Sequence, residues 1–137
     1  MKTRFTIIAL CLATLVGCAS KETTVTVQYL EIVTPDVDAT ITALTSAGGL
    51  TFGEPVEGFG NARIAERPDG QMIGVRAPMA EHETPIVRPY LLVDDLQAAL
   101  KKAEAAGGQI AYTGEIPGYG QCAIYLLGGI NHGLWQN

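Results

Sequence analysis

The chain has 137 residues, with 9 lysines and arginines against 14 aspartates and glutamates, for a formal net charge of −5. That length predicts a single domain. An acidic chain with no Lys/Arg cluster excludes the electrostatic footprint of a nucleic-acid binder and any strong attraction to anionic lipid head groups.

The first segment reads as a targeting signal and is set aside before the fold is read. Lys2 and Arg4 form a short basic head, and Phe5 to Val16 is a nearly unbroken apolar run. The run is shorter than the roughly 20 residues that span a bilayer and fits the apolar region of a secretory signal. Leu15, Val16, Gly17 and Cys18 resemble the lipobox of bacterial lipoproteins. The resemblance implies that residues 1–17 are a signal peptide, cleaved before Cys18, and that Cys18 then carries the lipids. The alternative is an uncleaved anchor or an ordinary signal. Acyl chains on Cys18 anchor a protein to a membrane without spanning it. Ala19, where an Asp is absent, implies the cell envelope at the periplasmic face of the outer membrane. Residues 18–24 read as a short tether. Cys11 falls in the removed segment, so only Cys122 remains in the mature domain and no internal disulfide is expected. Cys122 lies in an apolar run and reads as a buried small hydrophobe, with a reactive thiol as the alternative.

Val25 to Val33 is rich in β-branched residues and predicts a strand. Thr34, Pro35 and Asp36 stop it. Asp36 is expected to cap a helix whose apolar positions are Val37, Ile41, Leu44 and Ala47, and Gly48-Gly49 ends that helix. Leu50 to Phe52 is expected as a short strand, Glu54 to Gly60 as a loop, and Asn61 to Glu66 as a third strand. Pro68 and Gly70 favour a turn, and Gln71 to Arg76 follows as a fourth strand. Residues 78–85 link this module, residues 25–77, to a second one, residues 86–137. His82 in the linker is expected to face solvent, since no second His or Cys lies near it.

The second module repeats the order. Ile86 to Val93 predicts a strand, with Pro89 suggesting an edge or bulge. Asp94 or Asp95 caps a helix from Leu96 to Ala106, and Gly107-Gly108 closes it. Gln109 to Tyr112 is expected as a short strand, Thr113 to Gly120 as a loop, and Gln121 to Leu127 and Ile130 to Gln136 as strands joined at Gly128-Gly129. At one constant offset of 59, Asp36 matches Asp95, Ala47 to Gly49 matches Ala106 to Gly108, Gly70 matches Gly129, and Gly74 matches Gly133. Such a repeat predicts a duplicated unit. The expected fold is α+β: two βαβββ modules in one chain, with curved mixed sheets around a shared cavity and helices outside.

The segments 93–100, 105–108, 114–120 and 132–136, together with the turn and strand 67–75, resemble the vicinal oxygen chelate superfamily. That group includes glyoxalase I, extradiol dioxygenases and bleomycin-resistance proteins. The resemblance is to its two-module glyoxalase/bleomycin-resistance-like members and covers about residues 25–137. It implies metal ligands of His, Gln or Glu type in the first and last strands of each module. Counting from Asp36 and Asp95, and from Gly70 and Gly129, those positions fall on Tyr29, Arg88, Gly74 and Gly133, none of them a usual ligand. A shift of one residue brings in only Gln28 and His132, which strand parity places on the helix side. No metal, no cofactor and no catalytic residue is therefore expected.

Strand parity places Tyr29, Glu31, Arg76, Arg88, Tyr90 and Trp135 on the concave side as candidate ligand-binding residues. Gly74 and Gly133 are expected to leave room for a ligand at the backbone. Tyr and Trp offer flat walls with a polar tip, and Arg76 and Arg88 suit a carboxylate or similar anion. The competing reading has Arg88 paired with Glu31 and Trp135 filling space. Phe59 and Tyr119, each between glycines, are candidate gate residues at the cavity mouth. The expected partner is a small molecule, with membrane contact through the lipid alone and the oligomeric state open. Two further readings stay open: a metal-dependent lyase or dioxygenase with a displaced site using Glu31, His132 or His82, and an interaction scaffold.

Overall fold

The computed structural model describes residues 24–137. The lipobox with Cys18, the apolar run before it and most of the expected tether lie outside the described residues. Eight strands form one curled mixed sheet. They are β1 (Val27–Val33), β2 (Pro55–Val56), β3 (Ala62–Glu66), β4 (Met72–Arg76), β5 (Ile86–Leu92), β6 (Gln109–Ile116), β7 (Gly120–Leu127) and β8 (Ile130–Gln136). Their spatial order is β2-β3-β4-β1-β5-β8-β7-β6. Two helices, α1 (Val37–Gly48) and α2 (Leu96–Ala105), pack outside it. The paired βαβββ order expected from the repeat is the observed one.

Each first strand runs parallel to the last strand of its own module, β1 with β4 and β5 with β8. The modules meet where β1 and β5 run antiparallel. Pleating sends alternate side chains to opposite faces. The concave face carries a core of Tyr29, Phe59, Ala62, Ile64, Met72, Tyr90, Ile116, Cys122 and Trp135. A second core of Leu96, Leu100, Ala123 and Leu134 lies under α2. Burying each large apolar side chain of this kind contributes about 1.5–3 kcal/mol before entropy is counted.

The helix ends follow the glycines. Gly49 takes a left-handed φ of +66° and its N–H bonds to Thr45 O, and Gly107 likewise adopts φ +93°. At the start of α2 the Asp95 carboxylate accepts from Ala98 N at 2.9 Å. The expected Asp36 cap is not formed. Asp36 makes no side-chain cap bond, and its own N–H instead donates to Thr34 Oγ1 at 3.1 Å, so the threonine turn uses the local bond.

Two further expectations are corrected, and a third, at Pro89, is refined. Leu50 to Phe52 is not a strand. Pairing begins within the expected loop, at Pro55 and Val56 against Arg63 and Ala62, followed by a single 3-10 turn, Glu57–Phe59. The expected loop 113–120 is mostly strand. β6 passes a bulge between Ile110 and Tyr112 and continues to Ile116, because Pro117 and Gly118 (φ +82°) make a tight turn closed by Tyr119 N to Ile116 O. Pro89 lies in a strand that is internal to the sheet, between β1 and β8, but at a point paired on one side only. It sits just before β5–β8 pairing begins at Tyr90, where the strand has only β1 beside it.

Candidate functional site

Because β1 and β5 run antiparallel, the two ends of the concave floor differ. Tyr29 lies opposite Tyr90, and Glu31 lies opposite Arg88. The ends of β4 and β8 add Arg76 and Trp135. One end is aromatic and the other is charged. All six expected binding residues, Tyr29, Glu31, Arg76, Arg88, Tyr90 and Trp135, are buried and line one cavity of about 530 Å³.

At the aromatic end, Tyr29 packs edge-on against Phe59 at 5.0 Å between ring centroids, and Phe59 stacks on Trp135 at 5.9 Å. Tyr90 lies 5.3 Å from Tyr29. Such offset and edge contacts suit the aromatic quadrupole. Ile116, Cys122 and Ile124 complete the apolar wall. Of the expected gate residues, Phe59 lines the cavity and is buried, whereas Tyr119 packs edge-on behind it at 4.9 Å. Burial pushes the Cys122 thiol up to about 11, so it stays a protonated, apolar wall group.

At the charged end, Glu31 is the hub. Its Oε1 accepts from Arg76 Nε at 2.7 Å. Its Oε2 accepts from Arg88 Nη1 at 2.6 Å and from Tyr90 Oη at 3.0 Å. Arg76 is also held by Glu83, at 2.9 Å from Nη1 and 2.6 Å from Nη2, and by Ala77 O at 3.0 Å. Glu83 accepts from Met79 N as well, at 2.7 Å. The forked bond from Arg76 lowers the Glu83 carboxyl to about 2, against the opposing effect of its partial burial. Burial works against charge on Arg76, but Glu83 and Glu31 outweigh it and hold the guanidinium above its ordinary value. Burial, and then the Glu31 charge, raise both tyrosine hydroxyls, which therefore remain protonated.

The Arg88–Glu31 pair of the competing reading is thus formed, yet the cavity beside it is open. Three polar atoms in its lining residues are buried without a hydrogen-bond partner among the described residues: Tyr29 Oη, Arg88 Nε and Trp135 Nε1. Gly74 and Gly133 do not leave room for a ligand, which corrects that expectation. A Cβ at Gly74 would meet the Tyr29 ring, with Cε2 at 2.7 Å, and one at Gly133 would meet Tyr90 Cδ1 and Cγ at 2.6 Å. The space that a side chain would take on β4 and β8 is filled by tyrosine rings from β1 and β5.

Sequence reasoning missed Glu83, because a linker has no side-chain periodicity to place it, and missed Cys122 and Ile116 as cavity wall. His82 is exposed, as expected. His132 is half-buried, stacks on Tyr125 at 5.0 Å and approaches Leu127 O at 3.3 Å, away from the cavity lining. Among the described residues no three His, Cys, Asp or Glu side chains gather where they could hold a metal ion, so Glu31, His132 and His82 are not brought together.

The fold and site define a two-module α+β protein built around an internal cavity, and solved structures share that fold. A hypothetical protein from Bacillus halodurans C-125 superposes with a TM-score of 0.65 at 11% identity, covering 84% of this chain and 96% of that one. Methylmalonyl-CoA epimerase from Mycobacterium tuberculosis has a TM-score of 0.61 at 17% identity, covering 80% of this chain and 85% of that one. A single-residue variant of the Streptomyces coelicolor methylmalonyl-CoA epimerase, in complex with 2-nitronate-propionyl-CoA, has a TM-score of 0.59 at 14% identity, with 81% of this chain and 96% of that one covered. These likenesses show a shared fold, the α+β architecture expected from the sequence. No family model matches the chain, and no curated protein matches it in sequence.

Proposed function

We propose that this chain is a binding protein that holds a small organic molecule in the cavity between its modules, without a metal ion, and that lipid on Cys18 anchors it in the cell envelope. The observation that carries the binding reading is the cavity of about 530 Å³, with Phe59, Tyr90, Ile116 and Ile124 among its apolar walls and Glu31, Arg76 and Arg88 at its charged end. Mostly apolar walls with a few fixed polar groups are the usual make-up of a small-molecule site.

The metal-free reading rests on the donor chemistry. The positions implied for ligands carry a protonated phenol at Tyr29, a guanidinium at Arg88 and no side chain at Gly74 and Gly133. The nearby carboxylate, Glu31, is held by two arginines and a tyrosine. A divalent ion would have to displace those cations to gain one ligand, where a site needs three or more. The lipid reading rests on the lipobox resemblance at Leu15 to Cys18.

A thermal-shift screen of small aromatic and apolar metabolites, run with a chelator present, tests the binding reading. An upward shift in melting temperature with at least one compound class is expected, since a ligand bound only to the native state stabilises it by mass action. An empty screen overturns the reading.

A further inference from the structure

We infer that the ligand is a small carboxylate with an apolar body, and that Arg88 rather than Arg76 receives its head. This deepens the small-molecule reading above and rests on it. The two guanidiniums differ in what they have left to give. Every nitrogen of Arg76 is already bonded: Nε to Glu31, Nη1 to Ala77 O and Glu83, and Nη2 to Glu83. Arg88 donates through Nη1 alone, to Glu31 at 2.6 Å and to Tyr90 Oη at 3.4 Å. Its Nε is buried, whereas its Nη2 has no partner among the described residues and keeps accessible surface. The side chain as a whole is 6% exposed, so that one free donor is held in place by its surroundings.

Met79, Glu83 and Arg88 line both the cavity between the modules and a groove beneath the linker. The groove adds exposed His82 and Thr84 and half-buried Asn131. An apolar body packed against Phe59, Ile116 and Ile124 would therefore set its head at a junction that opens onto polar surface. There a carboxylate can keep water on one oxygen while the other accepts from Arg88, which avoids the cost of burying it outright. The charges at the junction favour this. Glu83 is held by the Arg76 fork, and Glu31 by Arg76 and Arg88 together. Glu57 is exposed, so its charge is screened. A carboxylate bonded to Nη2 touches the Arg88 cation directly, and Glu31 lies further off on Nη1, so attraction exceeds repulsion. A guanidinium bonds a carboxylate roughly twice as strongly as neutral groups bond one another.

Hydrocinnamate and hydrocinnamamide share one body and differ in the head, so titrating each into the folded chain by calorimetry at neutral pH tests the inference. The carboxylate is expected to bind more tightly by about tenfold. Arg88→Gln removes the donor while Arg76 and Tyr90 still hold Glu31, and is expected to bring the two affinities level. Thr84→Asp adds a carboxylate to the groove beside Arg88 from an exposed position and is expected to weaken hydrocinnamate alone. Circular dichroism checks that each variant folds; if Arg88→Gln does not, Thr84→Asp decides. Equal or tighter binding of the amide to the wild-type chain overturns the inference and leaves small-molecule binding standing. A carboxylate preference that persists in folded Arg88→Gln, or is undiminished in Thr84→Asp, also overturns it, because Arg88 is then not the anchor. No binding of either probe overturns it as well, and the broader reading falls with it only if the metabolite screen is also empty.

Discussion

Gly74 and Gly133 show how single residues shape this site. Each lies against a tyrosine ring from the neighbouring first strand, Tyr29 and Tyr90 respectively. Gly74→Ala places a methyl group into the Tyr29 ring and is expected to destabilise the protein by about 1–3 kcal/mol, as overpacking does. Chemical denaturation measures this, and adding Tyr29→Phe, which removes the hydroxyl nearest the new methyl, should recover part of the loss. Glu83 sets a second residue-scale expectation. Its carboxyl drops from an ordinary 4.5 to about 2 because Arg76 holds the ionised form. A group depressed on folding contributes stability that is complete above its unfolded value and is lost as pH falls through its folded value. Stability should therefore decline between pH 4.5 and about 2, and Glu83→Gln should flatten that part of the pH–stability curve in acid titrations followed by circular dichroism.

At the scale of elements, the two helices test how far sequence signals carry. Asp36 and Asp95 occupy the same place in the repeat, yet only Asp95 caps its helix. Asp95→Ala is expected to cost about 1 kcal/mol in a denaturant melt, while Asp36→Ala should cost clearly less. Strand and helix order was legible because glycine stops and alternating apolar residues report backbone geometry directly. The errors fell where pairing overrides local signals. Thr113 to Ile116 reads as loop because Pro117, Gly118 and Gly120 follow it, but pairing with β7 makes it strand. Pro89 reads as an edge residue, but half-sided pairing admits it within the sheet. The six concave residues were legible from parity alone. Glu83 was not, because its position depends on how the linker folds back onto Arg76. The tyrosine rings against Gly74 and Gly133 were not either, because a glycine in a sequence does not say what fills the space it leaves.

For the whole molecule, a repeated backbone unit with different residues on its concave face accounts for the site. The repeat places Tyr29 with Arg88, Glu31 with Tyr90, and Arg76 with Trp135, so equivalent positions carry different chemistry in the two modules. Antiparallel joining of the first strands then sorts these residues into an aromatic end and a charged end of one cavity. At the charged end Arg76 is held by both Glu31 and Glu83, and Glu31 also holds Arg88. Binding between the modules without a metal ion is most directly tested by titrating the compound that gives the largest shift in the thermal screen, with a chelator present, into the wild-type chain and into Ile124→Phe, which fills the apolar wall of the cavity. One molecule bound per chain, unaffected by the chelator and lost in Ile124→Phe, is the expected result. Binding that survives in the filled variant, or that disappears when metal is removed, would contradict it.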